Sequence, residues 1–126
     1  MFKKEDMTQI NVKRVYEAAE ESDGYRVLID RLWPRGIKKG DLEYNYWAKD
    51  LAPTAELRRW FHMDQKGRWT EFTEKYKSEL CLSAYVGEFL KQVKDKPVIT
   101  LLYAAKDTEH NQANILKDYL EKKINS

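Results

Sequence analysis

From Val98 to Ala105 the chain reads Val-Ile-Thr-Leu-Leu-Tyr-Ala-Ala, directly after Pro97 and without a charge. An alternating pattern would mark a strand with one wet face. A continuous apolar run marks a strand buried on both faces, as in the middle of a parallel sheet. Such a strand needs neighbours. Ile10 to Tyr16 reads as a first strand, with Ile10 and Val12 on one face, and Tyr25 to Ile29 as a second. The link between them, Glu17 to Gly24, is acidic and ends in the turn signal Asp23-Gly24. It is short for a parallel crossover, which usually needs a dozen or more residues. The relative direction of strands one and two therefore stays open. Tyr44 to Leu51 is aromatic-rich and reads as extended.

Three helices are expected next. Pro53-Thr54 offers a start with Thr54 as N-cap, and Leu57, Trp60 and Phe61 share a face. Trp69, Phe72, Tyr76 and Leu80 recur at three- and four-residue intervals, as do Tyr85, Val86, Phe89, Leu90 and Val93. Gly67 and the Leu82-Ser83 region separate the three. A last helix, about Glu109 to Ile124, would bury Ala113, Leu116, Leu120 and Ile124. The expected class is α/β: a single compact domain over residues 1–126, with a small mostly parallel sheet flanked by helices. A helical insertion between Thr54 and Asp95 precedes the last strand, and residues 1–8 are expected to be a flexible N-terminus.

Composition narrows the setting. Four Trp, eight Tyr and four Phe exclude a disordered chain, and 35% charged residues imply a heavily solvated surface. No apolar run approaches the length of a membrane span, and Met1 to Asp6 lacks a signal peptide's apolar core. The single cysteine, Cys81, excludes an internal disulfide and CxxC chemistry. A cytoplasmic protein with no membrane partner is expected. A net charge of +2 argues against a nucleic-acid-binding protein by overall charge. Locally, Arg26, Arg31, Arg35, Lys38 and Lys39 face only Asp30 between positions 26 and 39.

The segment Asp30-Arg31-Leu32-Trp33-Pro34-Arg35-Gly36 leaves the end of the second strand on a stretch that proline bars from helix. Open α/β sheets place ligand sites outside the carboxyl ends of their strands. Arginine clamps phosphate or carboxylate in a fixed two-pronged geometry. Arg31 and Arg35 are thus candidate anion ligands, and Asp30 a candidate general base. Asp30 has a duller reading too, as a neutraliser of Arg31 or Arg35. Trp33, held extended by Pro34, is either a stacking platform or a plug on the core.

A second segment, Lys106-Asp107-Thr108-Glu109-His110-Asn111, follows the buried strand and opens a helix. Free backbone N–H groups and the positive helix end belong here. If the two strands are neighbours, Asp30, Arg31 and Arg35 meet Asp107, His110 and Asn111 around one crevice that can bind an anion and move a proton. Thr108 joins the ligand-binding candidates through its N–H. The bland alternatives are Asp107 or Thr108 as helix N-cap, His110 as a hydrogen-bonded wall and Asn111 as a loop brace. The helix dipole opposes protonation of His110.

The remaining residues read as structural. Trp47, Trp60 and Trp69 fall on apolar faces. Arg58, Arg59 and Arg68 make a solvated helix face, from which Arg58 can reach the crevice. His62 ends a helix. Cys81 has no histidine near it in sequence. No HxH, HExxH or cysteine spacing supports a metal, and no GxGxxG or GxxxxGK[ST] supports a dinucleotide site or P-loop, so no cofactor is evident.

From Val12 to Leu120 the chain resembles the YeaO-like branch of the domain-of-unknown-function 488 family of bacterial proteins. The resemblance is carried by Val12 to Tyr16, Gly24 to Gly36, and Trp47 with Lys49 to Pro53. Further carriers are Glu56 to Arg58 with Trp60-Phe61, Arg68-Trp69 with Phe72 and Tyr76, and Thr100 to Asp107 with His110-Asn111. It implies a small cytoplasmic α/β protein and brings no activity with it. Met63 departs from relatives that often have a second histidine after Phe61, which weakens any histidine pair built on His62.

The leading expectation is recognition of an anionic small molecule, phosphate- or carboxylate-bearing and conceivably a nucleotide, with acid/base chemistry by Asp30, Asp107 and His110. The second is a nucleic-acid module using Arg26, Arg31, Arg35, Lys38 and Lys39 with Trp33 stacking on bases. The third is a partner-binding subunit that presents Trp33 and the aromatics of the 40s.

Overall fold

The computed structural model describes residues 8–124; the expected flexible N-terminus lies almost wholly outside them. Four strands, β1 (Gln9–Arg14), β2 (Tyr25–Leu28), β3 (Tyr46–Trp47) and β4 (Val98–Tyr103), form one sheet in the order β1-β4-β2-β3. Every neighbouring pair is parallel, which gives strands one and two the same direction. β1 and β2 are not paired; β4 lies between them. The link between them, which looked short for a crossover from Glu17 to Gly24, runs over residues 15–24 and carries only a 3-10 turn, Glu21–Asp23.

β4 is central, as its unbroken apolarity requires: Ile99 to Tyr103 are all buried. Alternate residues point to opposite faces. Ile99, Leu101 and Tyr103, with Ile10, Val27 and Ile29, join a core to which all four helices contribute. The other face, with Leu28 and Leu102, is closed by Val15, Leu42 and half-buried Trp33, Ile37 and Trp47. The sheet is thus covered by helices on one side and by the long β2–β3 connection on the other.

The helices are α1 (Ala55–His62), α2 (Trp69–Leu82), α3 (Ala84–Val93) and α4 (Gln112–Ile124). Thr54 caps α1 by accepting the N–H of Leu57 at 3.2 Å. Ser83 ends α2 and caps α3, accepting the N–H of Tyr85 at 3.1 Å. Phe61 and Phe72 stack with centroids 4.0 Å apart and tie α1 to α2. Phe72 and Tyr76 are almost wholly buried, each worth roughly 1.5–3 kcal/mol. Tyr85, expected on the apolar face of α3, is 51% exposed. Gly24 is indispensable at the entrance to β2: its φ is 63°, and a Cβ there would lie 2.5 Å from the carbonyl oxygen of Val98.

Candidate functional site

The register lines up the ends of three strands. Arg14 faces Tyr103 and Leu28 faces Leu102, so the chains leaving β1, β4 and β2 emerge side by side. Two further bonds extend the pairing: Val15 N–H donates to Tyr103 O and Ile29 N–H to Leu102 O. Beyond that edge opens a cavity of about 680 Å³. Asp30, Arg31, Trp33, Arg35, His110 and Asn111 line it, so the two segments do meet. Asp107 and Thr108 are not part of the wall. Arg14, Arg58, His62 and Lys106 are, together with Gln112.

Asp30 closes the crevice floor. One carboxylate oxygen accepts the N–H of Ala104 at 3.0 Å, and the other accepts the amide of Gln112 at 2.5 Å. The side chain thereby joins the end of β2 to the end of β4 and to the first turn of α4. Burial pushes its pKa up to about 6, against the opposing pull of the Ala104 N–H, the Arg58 charge and Gln112. No cation touches it among the described residues. It is therefore no direct counter-ion of Arg31 or Arg35.

Five basic residues line the cavity, and Asp30 is the one acid among its lining residues. Two of the five are fixed by backbone carbonyls. Arg14 donates to Ala105 O at 2.8 Å and Ala104 O at 3.0 Å, and its guanidinium lies 4.8 Å from the Tyr16 ring centroid. Arg31 donates to Pro53 O at 3.1 Å and Ala52 O at 3.4 Å. Carbonyl dipoles orient these groups without neutralising them. The side chains of Arg35, Arg58 and Lys106 have no hydrogen bond or ion pair among the described residues.

The β4–α4 turn is organised by Asp107. Its Oδ1 accepts the N–H groups of Glu109 and His110, each at 2.9 Å, and its Oδ2 lies 3.1 Å from His110 Nδ1. These contacts, led by the backbone N–H of His110, hold its pKa below the usual carboxylate value. In the tautomer whose Nδ1 donates to the Asp107 carboxylate, Nε2 of the imidazole is left as an acceptor. The His110 ring packs edge-on to Trp69, centroids 5.1 Å apart. The helix cap is neither Asp107 nor Thr108. α4 starts at Gln112, and Asn111 caps it by accepting the N–H of Asn114 at 3.1 Å. Asn111 also donates to Asp107 O at 2.9 Å, so both ends of its buried amide are engaged. Thr108 is exposed, and its carbonyl accepts from Asn114.

His62, read from sequence as a mere helix end, lines the cavity, with Nδ1 2.8 Å from the Gln65 amide. Burial, helped by Arg58, lowers its pKa. Half-buried Trp33 packs on the second face of the sheet and also lines the cavity. Its indole N–H donates to Ile37 O at 2.6 Å, and its ring meets Tyr44 and Trp47 edge-on. Arg26 leaves the proposed basic face altogether: 5% exposed, it pairs with Asp23 and donates to Glu43 O at 2.6 Å. Among the described residues no three His, Cys, Asp or Glu side chains gather as metal ligands, and no helix is long and apolar enough to cross a membrane.

The molecule is thus a small parallel α/β protein with a cationic crevice at its strand ends. The chain belongs to the family described as "Inactive DUF488-N3 subclade", whose model matches residues 9–126. It is 48% identical over 111 residues to the uncharacterized protein YeaO of Escherichia coli, covering 88% of this chain and 96% of that one. Uncharacterized proteins of Mycobacterium tuberculosis and Mycobacterium bovis are 41% identical over 113 residues, covering 90% of this chain and 94% of theirs. No solved structure matches it.

Proposed function

We propose that this chain binds a small anionic molecule in the strand-end crevice. One observation carries the reading: five basic side chains and a single carboxylate line one cavity of about 680 Å³. That volume suits a metabolite-sized ligand. Guanidiniums held by carbonyls keep their charge, and two of the five are so placed before any ligand arrives. Binding without turnover fits the word "inactive" in the family description. It also fits Asp30, both of whose oxygens already accept protein donors. A cytoplasmic setting, where phosphorylated and carboxylated metabolites abound, belongs to the same reading.

A second reading, proton transfer on the bound anion, has one observation in its favour. Asp107 fixes His110 so that Nε2 is a potential acceptor at the cavity wall. Both readings meet in one experiment, a thermal-shift screen with phosphates, sugar phosphates, nucleotides and carboxylates, followed by mass spectrometry of the ligand. A ligand confined to the native state raises the melting temperature by mass action, by about 2.7 kcal/mol of stability at a hundredfold excess over Kd. A hit recovered intact supports binding; a hit recovered transformed supports the second reading. A flat screen at low salt would defeat both.

A further inference from the structure

We infer that the crevice is built for a phosphate ester or diphosphate bearing at least two negative charges, rather than for a carboxylate. This deepens the anion-binding reading and rests on it.

The first ground is charge balance. The five cations outnumber Asp30, and among the described residues none of their charged groups pairs with a carboxylate; the Glu17 carboxylate accepts only the backbone N–H of Arg14. Some cations elsewhere are compensated: Lys13 and Arg26 share Asp23, and Lys77 and Lys122 share Asp118. A monoanion would leave most of the crevice charge unanswered. A phosphate monoester brings a charge of about −1.5 to −2 at neutral pH, and a diphosphate more.

The second ground is direction. Arg14 comes from the end of β1, Arg31 and Arg35 from the β2–β3 connection, Arg58 from α1, and Lys106 from the segment after β4. Four segments thus approach one volume. A carboxylate offers two oxygens in one plane and is satisfied by one guanidinium fork. A phosphoryl group offers oxygens in three directions and accepts from several forks at once. Gln112, the first residue of α4, is also in the wall, so the positive end of a 13-residue helix adds to the same field.

The third ground is the division of labour among the cations. Arg14 and Arg31 are held by carbonyls and form a fixed seat. Arg35, Arg58 and Lys106 are untied among the described residues and can close on a ligand of more than one phosphoryl group. A rigid seat with mobile arms suits a ligand whose charge is spread along a chain.

The test is calorimetric titration of the whole chain, near neutral pH and at matched ionic strength. The probes are inorganic phosphate, pyrophosphate, a nucleoside diphosphate, acetate and citrate. Citrate matches the charge of pyrophosphate with carboxylates alone. The expected result is that pyrophosphate or the nucleoside diphosphate binds at least about tenfold more tightly than citrate, with acetate weakest. Arg35→Gln and Arg58→Gln remove exposed side chains that make no hydrogen bond or ion pair among the described residues, and each should weaken that binding about tenfold without lowering the melting temperature. Citrate binding as tightly as pyrophosphate would overturn the phosphate assignment and leave the anion site standing. Binding that ignores both substitutions would place the ligand elsewhere and overturn the assignment too. If no probe binds, the anion-binding reading falls with it.

Discussion

Two aspartates seven residues apart, at opposite ends of β2, have been put to opposite uses. Asp23, at the amino end, is 6% exposed and grips Lys13 at 3.1 Å and Arg26 in a close ion pair. Burial alone would raise its pKa, but the N–H of Glu20, Lys13 and Arg26 together bring it below the ordinary value. Asp30, at the carboxyl end, meets only neutral donors, and burial carries its pKa up to about 6. Basic residues are plentiful at both ends. At the amino end they neutralise the carboxylate, and at the carboxyl end they line a cavity instead. A carboxylate satisfied by cations is architecture. Cations left without a carboxylate are what the proposed anion site would use.

The largest effect should come from breaking the compensated end. Asp23→Ala leaves the buried guanidinium of Arg26 and the ammonium of Lys13 without their shared anion, and the cap of the Glu21–Asp23 turn is lost with it. Removing one partner of a buried pair typically costs about 3–5 kcal/mol. Urea unfolding at neutral pH should show a loss of that order. A change below about 1 kcal/mol would mean that the cluster is solvated like a surface pair and that the contrast with Asp30 is empty.

The contrast also measures how far the sequence could be read. β4 was legible because burial on both faces leaves no position for a charge, and the Asp30 loop because Pro34 forbids helix at a strand end. Their meeting follows once β4 is placed beside β2. Arg14 was not legible as a site residue: within its strand it looks like any solvent-facing arginine, and only the register Arg14–Tyr103 carries it to the edge of the crevice. His62 was hidden by the same ambiguity, since on α1 a solvated stripe and a cavity-lining stripe have the same spacing. Arg26 misled in the opposite sense. Its charge suggested a surface, whereas Asp23 and the carbonyl of Glu43 allow it to be buried. Asp107 was assigned to the crevice, but its spacing to Glu109 and His110 is that of a local turn, which consumes both oxygens.

A smaller effect, of opposite sign, belongs to Asp30→Asn. The native pKa of about 6 lies above the ordinary 3.8, so the folded state binds a proton that the unfolded state has already released. Stability from this group is therefore full below about pH 4 and is lost as pH rises through about 6. A rise of that size corresponds to about 3 kcal/mol, and asparagine recovers part of it. Its oxygen can accept from Ala104 while its amide donates to a rotated Gln112. Asp30→Asn should thus stabilise the protein by about 2 kcal/mol above pH 7 and flatten the wild-type decline between about pH 4 and 6. Asp23 acts the other way, since its depressed pKa gives stability that is present above about pH 4 and lost in acid. Unfolding curves of both variants across about pH 3 to 8 should bend in opposite directions; parallel curves would show that the two sites do not differ.

The finest effect isolates the one charge that already acts on Asp30 from a distance. Arg58 lowers the pKa of Asp30 and also that of His62, though it makes no hydrogen bond or ion pair to either among the described residues. Arg58→Gln should therefore raise both titrations together: Asp30 loses a favourable charge in its ionised form, and imidazolium at position 62 loses a repulsive neighbour. Folding stability should stay within about 0.5 kcal/mol of wild type, as for an exposed side chain without a hydrogen bond or ion pair among the described residues. Carbon-detected titration of the aspartate carboxyl and of the imidazole follows each group separately. A rise at His62 without one at Asp30 would place the guanidinium toward the shallow outer side of α1, beside Arg59 and Met63, and would reduce the crevice to four cations. A rise at both makes Arg58 a member of the same field that a bound anion would feel.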